Sequence, residues 1–228
     1  TAYVYVSDDY GQTWKNIGNS LPVAAVNVIR EDSENENMLY VGTDNGLYVS
    51  LNGGGSWEAF SNNLPNVAVH DLVIQPTAKH LIVGTHGRSL YKANVAALQK
   101  INAAVLAKSI HVFAIENVRK SKNWGRSWSQ WRIANTPEVK IPFYSNSSKK
   151  ITVAIYLGAI KVNSISVVAD KGFNEADFDV SFSEKGKIAF EKLSKNGELK
   201  EAKNGVFYLP KGVYTVKIEN SKKTFEIK

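Results

Sequence analysis

Two stretches of this chain are one local pattern written twice. Ser7-Asp8-Asp9-Tyr10-Gly11-Gln12-Thr13-Trp14 returns as Ser50-Leu51-Asn52-Gly53-Gly54-Gly55-Ser56-Trp57, and both fit S-x-[DN]-x-G-x-[ST]-W at an offset of 43 residues. The flanks repeat as well: Leu21-Pro22 matches Leu64-Pro65 at the same offset, and Leu39–Thr43 matches Leu81–Thr85 at 42. A period of this length, made of short apolar runs and turn residues, describes one small antiparallel sheet per repeat.

The motif has a local mechanism. A short polar side chain at Asp9 or Asn52 is expected to accept bonds from backbone N–H groups two residues on, closing a turn. Gly11 and Gly54 supply the positive φ of the tight position. Trp14 and Trp57 follow on the next strand, where each ring is expected to be buried against its sheet. Asn52 is neutral where Asp9 is charged, so the second turn should be the weaker of the two.

These two copies resemble Asp-boxes (BNR repeats), found in sialidase-like, sortilin-like and related β-propellers. The resemblance implies four-stranded antiparallel blades with the box in an outer hairpin, far from any active face. It makes Ser7, Asp9, Gly11, Trp14, Ser50, Asn52, Gly54 and Trp57 structural residues. After Gly84-Thr85 the run His86-Gly87-Arg88-Ser89-Leu90-Tyr91 stands where the previous repeat has Asp44-Asn45-Gly46-Leu47-Tyr48, and no third box follows. The V-H-D-L…G-T-H-G-R-S-L-Y pattern is similar to the closing blade of large bacterial propellers of the sortilin-like (VPS10-like) group, often labelled glycosyl hydrolases. Two blades are visible and a propeller needs about four to eight. The expectation is therefore a partial propeller over residues 1–95, with the remaining blades, on the same polypeptide or another protein, as its partner. Thr1 is not Met and no signal-peptide profile follows it, so the chain start reads as internal or processed.

The charge changes along the chain. Residues 1–95 carry 5 Lys/Arg and 9 Asp/Glu, a balance of −4, while residues 96–228 carry 23 and 12, a balance of +11. Such asymmetry indicates different units. Val95–Lys108 is Ala/Leu-rich and predicts one or two short helices, with Asn102 a cap. Residues 96–138 read as a helical and Trp/Arg-rich linker that includes a strand over Ile110–Ile115. From residue 139 to 228 the runs Val139–Tyr144, Lys150–Leu157, Ser164–Ala169, Asp177–Phe182, Lys187–Leu193, Gly205–Leu209, Val213–Glu219 and Lys223–Lys228 all predict strands. Asn196-Gly197, Asn204-Gly205 and Lys211-Gly212 mark turns between them. Seven or eight strands in such a length suggest an immunoglobulin-like β-sandwich. Gly172-Phe173-Asn174, Asp177–Val180 and Leu209–Ile218 resemble the immunoglobulin-like domain that follows the propellers named above. The ending G-V-Y-T-V-K-I also resembles C-terminal sorting domains of surface proteins in Bacteroidetes-type secretion. The fold class is all-β: the last blades of a propeller, a short helical linker and a sandwich.

Chemistry is sparse. With no cysteine there is no disulfide, thiolate zinc site or Cys nucleophile. No apolar run reaches the roughly 18 residues of a membrane span. Glycoside hydrolysis needs two carboxyl groups across the scissile bond, and only Asp44 and Asp71 stand near inner-strand positions of the repeats. Sialidase-like chemistry would also require an arginine triad, whereas this part holds only Arg30 and Arg88. His70, His80, His86 and His111 lack metal-ligand spacing, and neither a phosphate loop nor a G-x-S-x-G context occurs. No metal, cofactor or catalytic residue is assigned. His86 and Arg88, where a strand emerges beside Gly87, are candidates for ligand contact at a channel mouth, with packing and loop bonding as the alternative. Trp124, Trp128 and Trp131, among Arg119, Lys120, Lys122, Arg126 and Arg132, have the spacing of one helix face. Stacked on a glycan or partner they would form a binding patch; buried between the two regions they would be structural. Single-stranded nucleic acid, which such a mixture can also bind, is not adopted as a partner.

The sequence thus predicts the non-catalytic C-terminal portion of a secreted or cell-surface propeller protein, acting in scaffolding and in partner or glycan recognition. Two alternatives stay open: the structural tail of a glycoside hydrolase whose catalytic residues lie on other blades, and a sorting or docking module of an export machine.

Overall fold

A computed structural model describes residues 2–60, 63–129, 131–193 and 199–228. The protein is all-β, built of antiparallel sheets, and divides into two compact units, Thr1–Ala104 and Val105–Lys228.

In the first unit, β1 (Tyr5–Val6) pairs with β2 (Lys15–Asn16). A four-stranded meander follows: β3 (Val26–Glu31), β4 (Leu39–Thr43), β5 (Gly46–Ser50) and β6 (Glu58–Ala59). A three-stranded meander comes next, made of β7 (Val69–Gln75), β8 (His80–Thr85) and β9 (Leu90–Asn94). The repeat seen in the sequence is present in the backbone detail. Both meanders carry a register shift near the start of their first pair, between Val26 and Val28 and between Val69 and Asp71. Both close their second hairpin, β4–β5 or β8–β9, in a similar way, Thr43 Oγ1 donating to Gly46 O and Thr85 Oγ1 to Ser89 O.

The two meanders interlock at that same period. Asn27 Nδ2 donates to Val69 O at 3.3 Å and Arg30 Nε to Leu72 O at 2.8 Å, each bond spanning 42 residues. Gly42 permits the approach, because a Cβ there would stand 2.6 Å from Val69 Cγ1 and 2.9 Å from Val69 O. Its repeat partner Gly84 lies in looser surroundings, with the nearest neighbour of such a Cβ at 3.5 Å. After β9 the chain makes a 3-10 turn, Leu98–Lys100, and a single helical turn, α1 (Ala103–Leu106), which spans the division between units. Asp32, buried in the β3–β4 connection, accepts from Gln99 Nε2 through both carboxylate oxygens at 3.1 Å, and Asn35 Nδ2 donates to Ile101 O. These bonds satisfy a buried charge and tie the segment after β9 to the first meander.

The second unit is a two-sheet sandwich. One sheet has the order β10 (Ile110–Val112), β11 (Val139–Ser145), β14 (Gly172–Phe178). The other has the order β13 (Ile160–Ala169), β12 (Lys149–Leu157), β15 (Gly212–Ile218), β16 (Ser221–Ile227). Period-two alternation fixes the inner faces: Ile141 and Phe143 on one sheet meet Val153, Ile155, Tyr214 and Val216 of the other in one apolar core. Tyr214, buried near the start of β15, donates its hydroxyl to Pro210 O four residues upstream at 2.7 Å. Seven strands divided three and four, with this tyrosine corner, are features of immunoglobulin-like sandwiches.

Four strand expectations in this unit need correction. Lys187–Leu193 lies in a helix, α2 (Glu184–Leu193). Ser183 starts it by accepting the Gly186 N–H on its hydroxyl, and Gly186 packs where a Cβ would fall 1.9 Å from Val162 O. Gly205–Leu209 forms no strand, only a single bridge between Tyr208 and Ser181. The strand expected at Asp177–Phe182 lies earlier, at Gly172–Phe178, and the strand expected at Ile110–Ile115 ends at Val112. The Asn196-Gly197 turn lies outside the described residues.

Candidate functional site

The two motif loops have nearly the same hydrogen-bond wiring. Ser7 Oγ donates to Asp9 Oδ1 at 2.9 Å and accepts the Gly11 N–H at 2.7 Å. Ser50 Oγ likewise donates to Asn52 Oδ1 at 3.0 Å and accepts the Gly54 N–H at 2.8 Å. Asp9 Oδ1 accepts the Thr13 N–H at 2.8 Å, and Asn52 Oδ1 the Ser56 N–H at 2.9 Å. The acceptor therefore reaches four residues ahead, not two as the turn chemistry suggested. Gly11 and Gly54 take φ of +86° and +87°, which lets the chain fold back over the side chain. Thr13 donates its hydroxyl to Asp9 Oδ2 at 2.6 Å. The Thr13 hydroxyl and amide, with Ser7, hold the Asp9 carboxyl down at about 2.

The two tryptophans differ. Trp57 is 8% exposed, and its indole N–H reaches the preceding hairpin, donating to Ile17 O at 2.6 Å. Trp14 is 63% exposed and donates to Gly11 O within its own loop at 3.1 Å. The expectation that both rings are buried holds only for Trp57.

The candidate carboxylates are both exposed on the first unit. Asp44 accepts from Asn27 Nδ2 at 2.9 Å. Asp71 accepts from Arg30 Nη2 at 3.0 Å and from the Leu72 N–H. Each is already engaged by a β3 side chain, an arrangement that serves the sheet interlock. His86 is exposed and backbone-bonded to Ala68 O, as Asp44 is to Ala25 O. Its ring lies 5.3 Å from that of His70. Arg88, in the same turn, is exposed. The structure thus joins His86 to His70, a pairing that sequence spacing did not suggest. No group of three or more metal-ligating side chains occurs among the described residues. His111, on β10, stands beside Lys108 Nζ at 3.3 Å, and burial followed by Lys108 and Lys223 pulls its pKa down.

The three clustered tryptophans do not share a helix face. Gly125, at φ +74°, turns the chain directly after Trp124. Trp124 is 9% exposed and packs in the sandwich core beside Tyr208, with ring centroids 5.7 Å apart. Trp128 and Trp131 are 89% and 88% exposed. They belong to a loop closed at its base by Gly125 N–H to Asn135 O and Asn135 N–H to Arg126 O. The segment before it is fastened to β16, where Val118 bridges Ile227, and to the chain before β15, where Lys120 donates its ammonium to Leu209 O at 2.9 Å. Burial and then Lys211 pull the Lys120 pKa down.

Asn27 and Arg30, which hold the two meanders together, were missed from sequence. The available signal was the period itself, since donors and acceptors stand one repeat apart. Asp32 was missed too: its run, Glu31-Asp32-Ser33-Glu34, reads as a solvated loop.

No family model and no curated protein matches the chain. Fourteen chains of solved structures match it, among them the following two. One is the extracellular domain of a hybrid two-component system from B. thetaiotaomicron, at 10% identity and a TM-score of 0.30, covering 96% of this chain and 27% of that one. The other is an ancestral GH74 enzyme, at 12% identity and a TM-score of 0.25, covering 99% of this chain and 30% of that one. This chain spans less than a third of the length of either. No helix among the described residues is long and apolar enough to cross a membrane.

Proposed function

We propose that this chain is the C-terminal portion of a secreted or cell-surface Asp-box β-propeller protein of the sortilin-like kind, followed by an immunoglobulin-like sandwich. Its role is scaffolding and recognition of a partner or glycan, and no reaction is assigned to it. One observation carries the reading. Successive meanders are bonded through their first strands at the sequence period, Asn27 to Val69 O and Arg30 to Leu72 O, as neighbouring blades around an axis would be. Among the described residues each kind of junction contact occurs once. Trp57 docks back onto Ile17, whereas its counterpart Trp14 is exposed; Gly42 is filled by Val69, whereas its counterpart Gly84 is open. These unfilled positions are where further blades dock.

The test is the intact mass of the natural polypeptide that carries this sequence, together with glycan binding and turnover by that polypeptide. The expected result is a mass well above 25.2 kDa and binding without turnover that depends on Asp44 or Asp71. A natural product of 25.2 kDa that is monomeric and binds nothing would overturn the proposal. Turnover abolished by D44N or D71N would also overturn it, in favour of a hydrolase whose site includes these blades.

A further inference from the structure

We infer that the described residues 126–129 and 131–135 form a membrane-docking tip, inserting Trp128, Trp131 and Ile133 among the headgroups of an anionic lipid surface. This rests on the second unit alone and stands whether or not the first completes a propeller.

The tip is apolar and outward. Ile133 is 95% exposed, alongside the two tryptophans already described. Three large apolar side chains so displayed on one short loop have no role in folding their own unit. Indole rings favour the water–lipid boundary, where an apolar body and one N–H donor are both satisfied. An aliphatic side chain such as Ile133 adds nothing to stacking on a sugar but gains from leaving water for acyl chain.

The charge along the stretch that carries the tip is of one sign, between Glu116 on one side and Glu138 on the other. From Asn117 to Pro137 there are five Lys/Arg and no Asp or Glu. Arg126 and Arg132 lie within the loop, and Lys122 and Arg119 follow toward its base. Each cation near an anionic leaflet strengthens partitioning about fivefold, and Arg pairs with phosphate through parallel N–H donors. A glycan reader, by contrast, would be expected to set carboxylates beside its rings, and residues 117–137 hold none.

The loop is mounted firmly enough to push. Its base is closed by the two backbone bonds between Gly125, Arg126 and Asn135, and Trp124 anchors it in the sandwich core. Gly125 cannot be replaced cheaply: besides its positive φ, a Cβ there would stand 2.6 Å from Ala202 Cβ, an atom with no side-chain torsion to move it.

The test uses the full 228-residue chain with sucrose-loaded vesicles, either phosphatidylcholine alone or phosphatidylcholine with a quarter phosphatidylglycerol. Co-sedimentation with the anionic vesicles is expected, at least tenfold weaker with the neutral ones, with tryptophan fluorescence quenched by lipids brominated near the headgroup. W128A/W131A should lose at least tenfold in partitioning with an unchanged melting temperature, since both rings are exposed. R126Q/R132Q tests the electrostatic half separately and should lose binding to the anionic vesicles only. No co-sedimentation with anionic vesicles, or binding that neither variant weakens, would overturn the inference. So would dextran sulfate in place of vesicles giving the full fluorescence change, which would make the loop a reader of soluble polyanions.

Discussion

Replacing each motif tryptophan by phenylalanine separates what the repeated sequence shares from what its surroundings add. In Trp57→Phe the lost indole N–H leaves Ile17 O, inside the apolar cluster of the first unit, without its donor. An unsatisfied buried carbonyl costs about 1–3 kcal/mol. The smaller ring also leaves a void of roughly 40 Å³, worth about 1 kcal/mol at ~24 cal/mol per Å³. The expected loss is therefore about 3 kcal/mol. In Trp14→Phe the Gly11 carbonyl turns to water and little packing is lost, so the cost should stay below about 0.5–1 kcal/mol.

The assay is hydrogen exchange under increasing denaturant, read by mass spectrometry on peptides covering β4 and β5. Peptides from β12 and β15, in the other unit, serve as the internal control. Opening free energies of the first set should fall by about 3 kcal/mol in Trp57→Phe and by less than 1 in Trp14→Phe. Equal losses would refute the argument, because they would mean that the motif acts within its own loop and that the Trp57–Ile17 contact contributes nothing.

The other predictions are shorter. Gly42→Ala should cost about 2–3 kcal/mol by overpacking against Val69, while Gly84→Ala should cost under about 1, both read from urea melts of the full chain. Tyr214→Phe should cost about 1 kcal/mol, the usual net worth of one hydrogen bond, seen as a lower denaturation midpoint with an unchanged slope. Asp9 is held at about 2 against an ordinary value of 3.8, so its contribution is complete above pH 4 and lost as the pH falls toward 2. Protection of the Thr13 amide should fall across that window. Protection of the Ser56 amide, whose acceptor Asn52 does not titrate, should stay flat.

What could be read from the sequence is what the chain fixes locally. The turn residues, the period and the alternation of β11, β12, β15 and β16 each depend on residues within about ten positions of one another. The failures share a cause. Lys-Ile-Ala-Phe-Glu-Lys-Leu alternates well enough to predict a strand, but Ser183 caps a helix just upstream. Gly186 then lets that helix close on Val162, a contact across 24 positions that no local pattern announces. The tryptophans at 124, 128 and 131 have helical spacing, yet Gly125 takes a left-handed φ and Ser127 turns its hydroxyl onto the backbone carbonyls of Ser129 and Arg132. Serine side chains that bond the backbone compete with helix formation.

The repeat itself shows where local reading stops. Ser7–Trp14 and Ser50–Trp57 are wired almost identically, so their shared residues explain the turn and nothing more. What differs is the neighbour: Trp57 meets a hairpin one period behind it, and Trp14 meets solvent. Gly42 meets a strand one period ahead, and Gly84 does not. A residue of the repeat therefore gains its energetic weight from the next sheet, not from its own. Stability in such an array is a sum of sheet and junction contributions, and the described residues form one bonded junction between meanders. If further blades dock at Trp14 and Gly84, Trp14→Phe and Gly84→Ala should become as costly in the longer protein as Trp57→Phe and Gly42→Ala are here. If the small costs persist in the natural polypeptide, the junction code read from Asn27, Arg30, Gly42 and Trp57 does not extend beyond these three sheets, and the propeller reading fails with it.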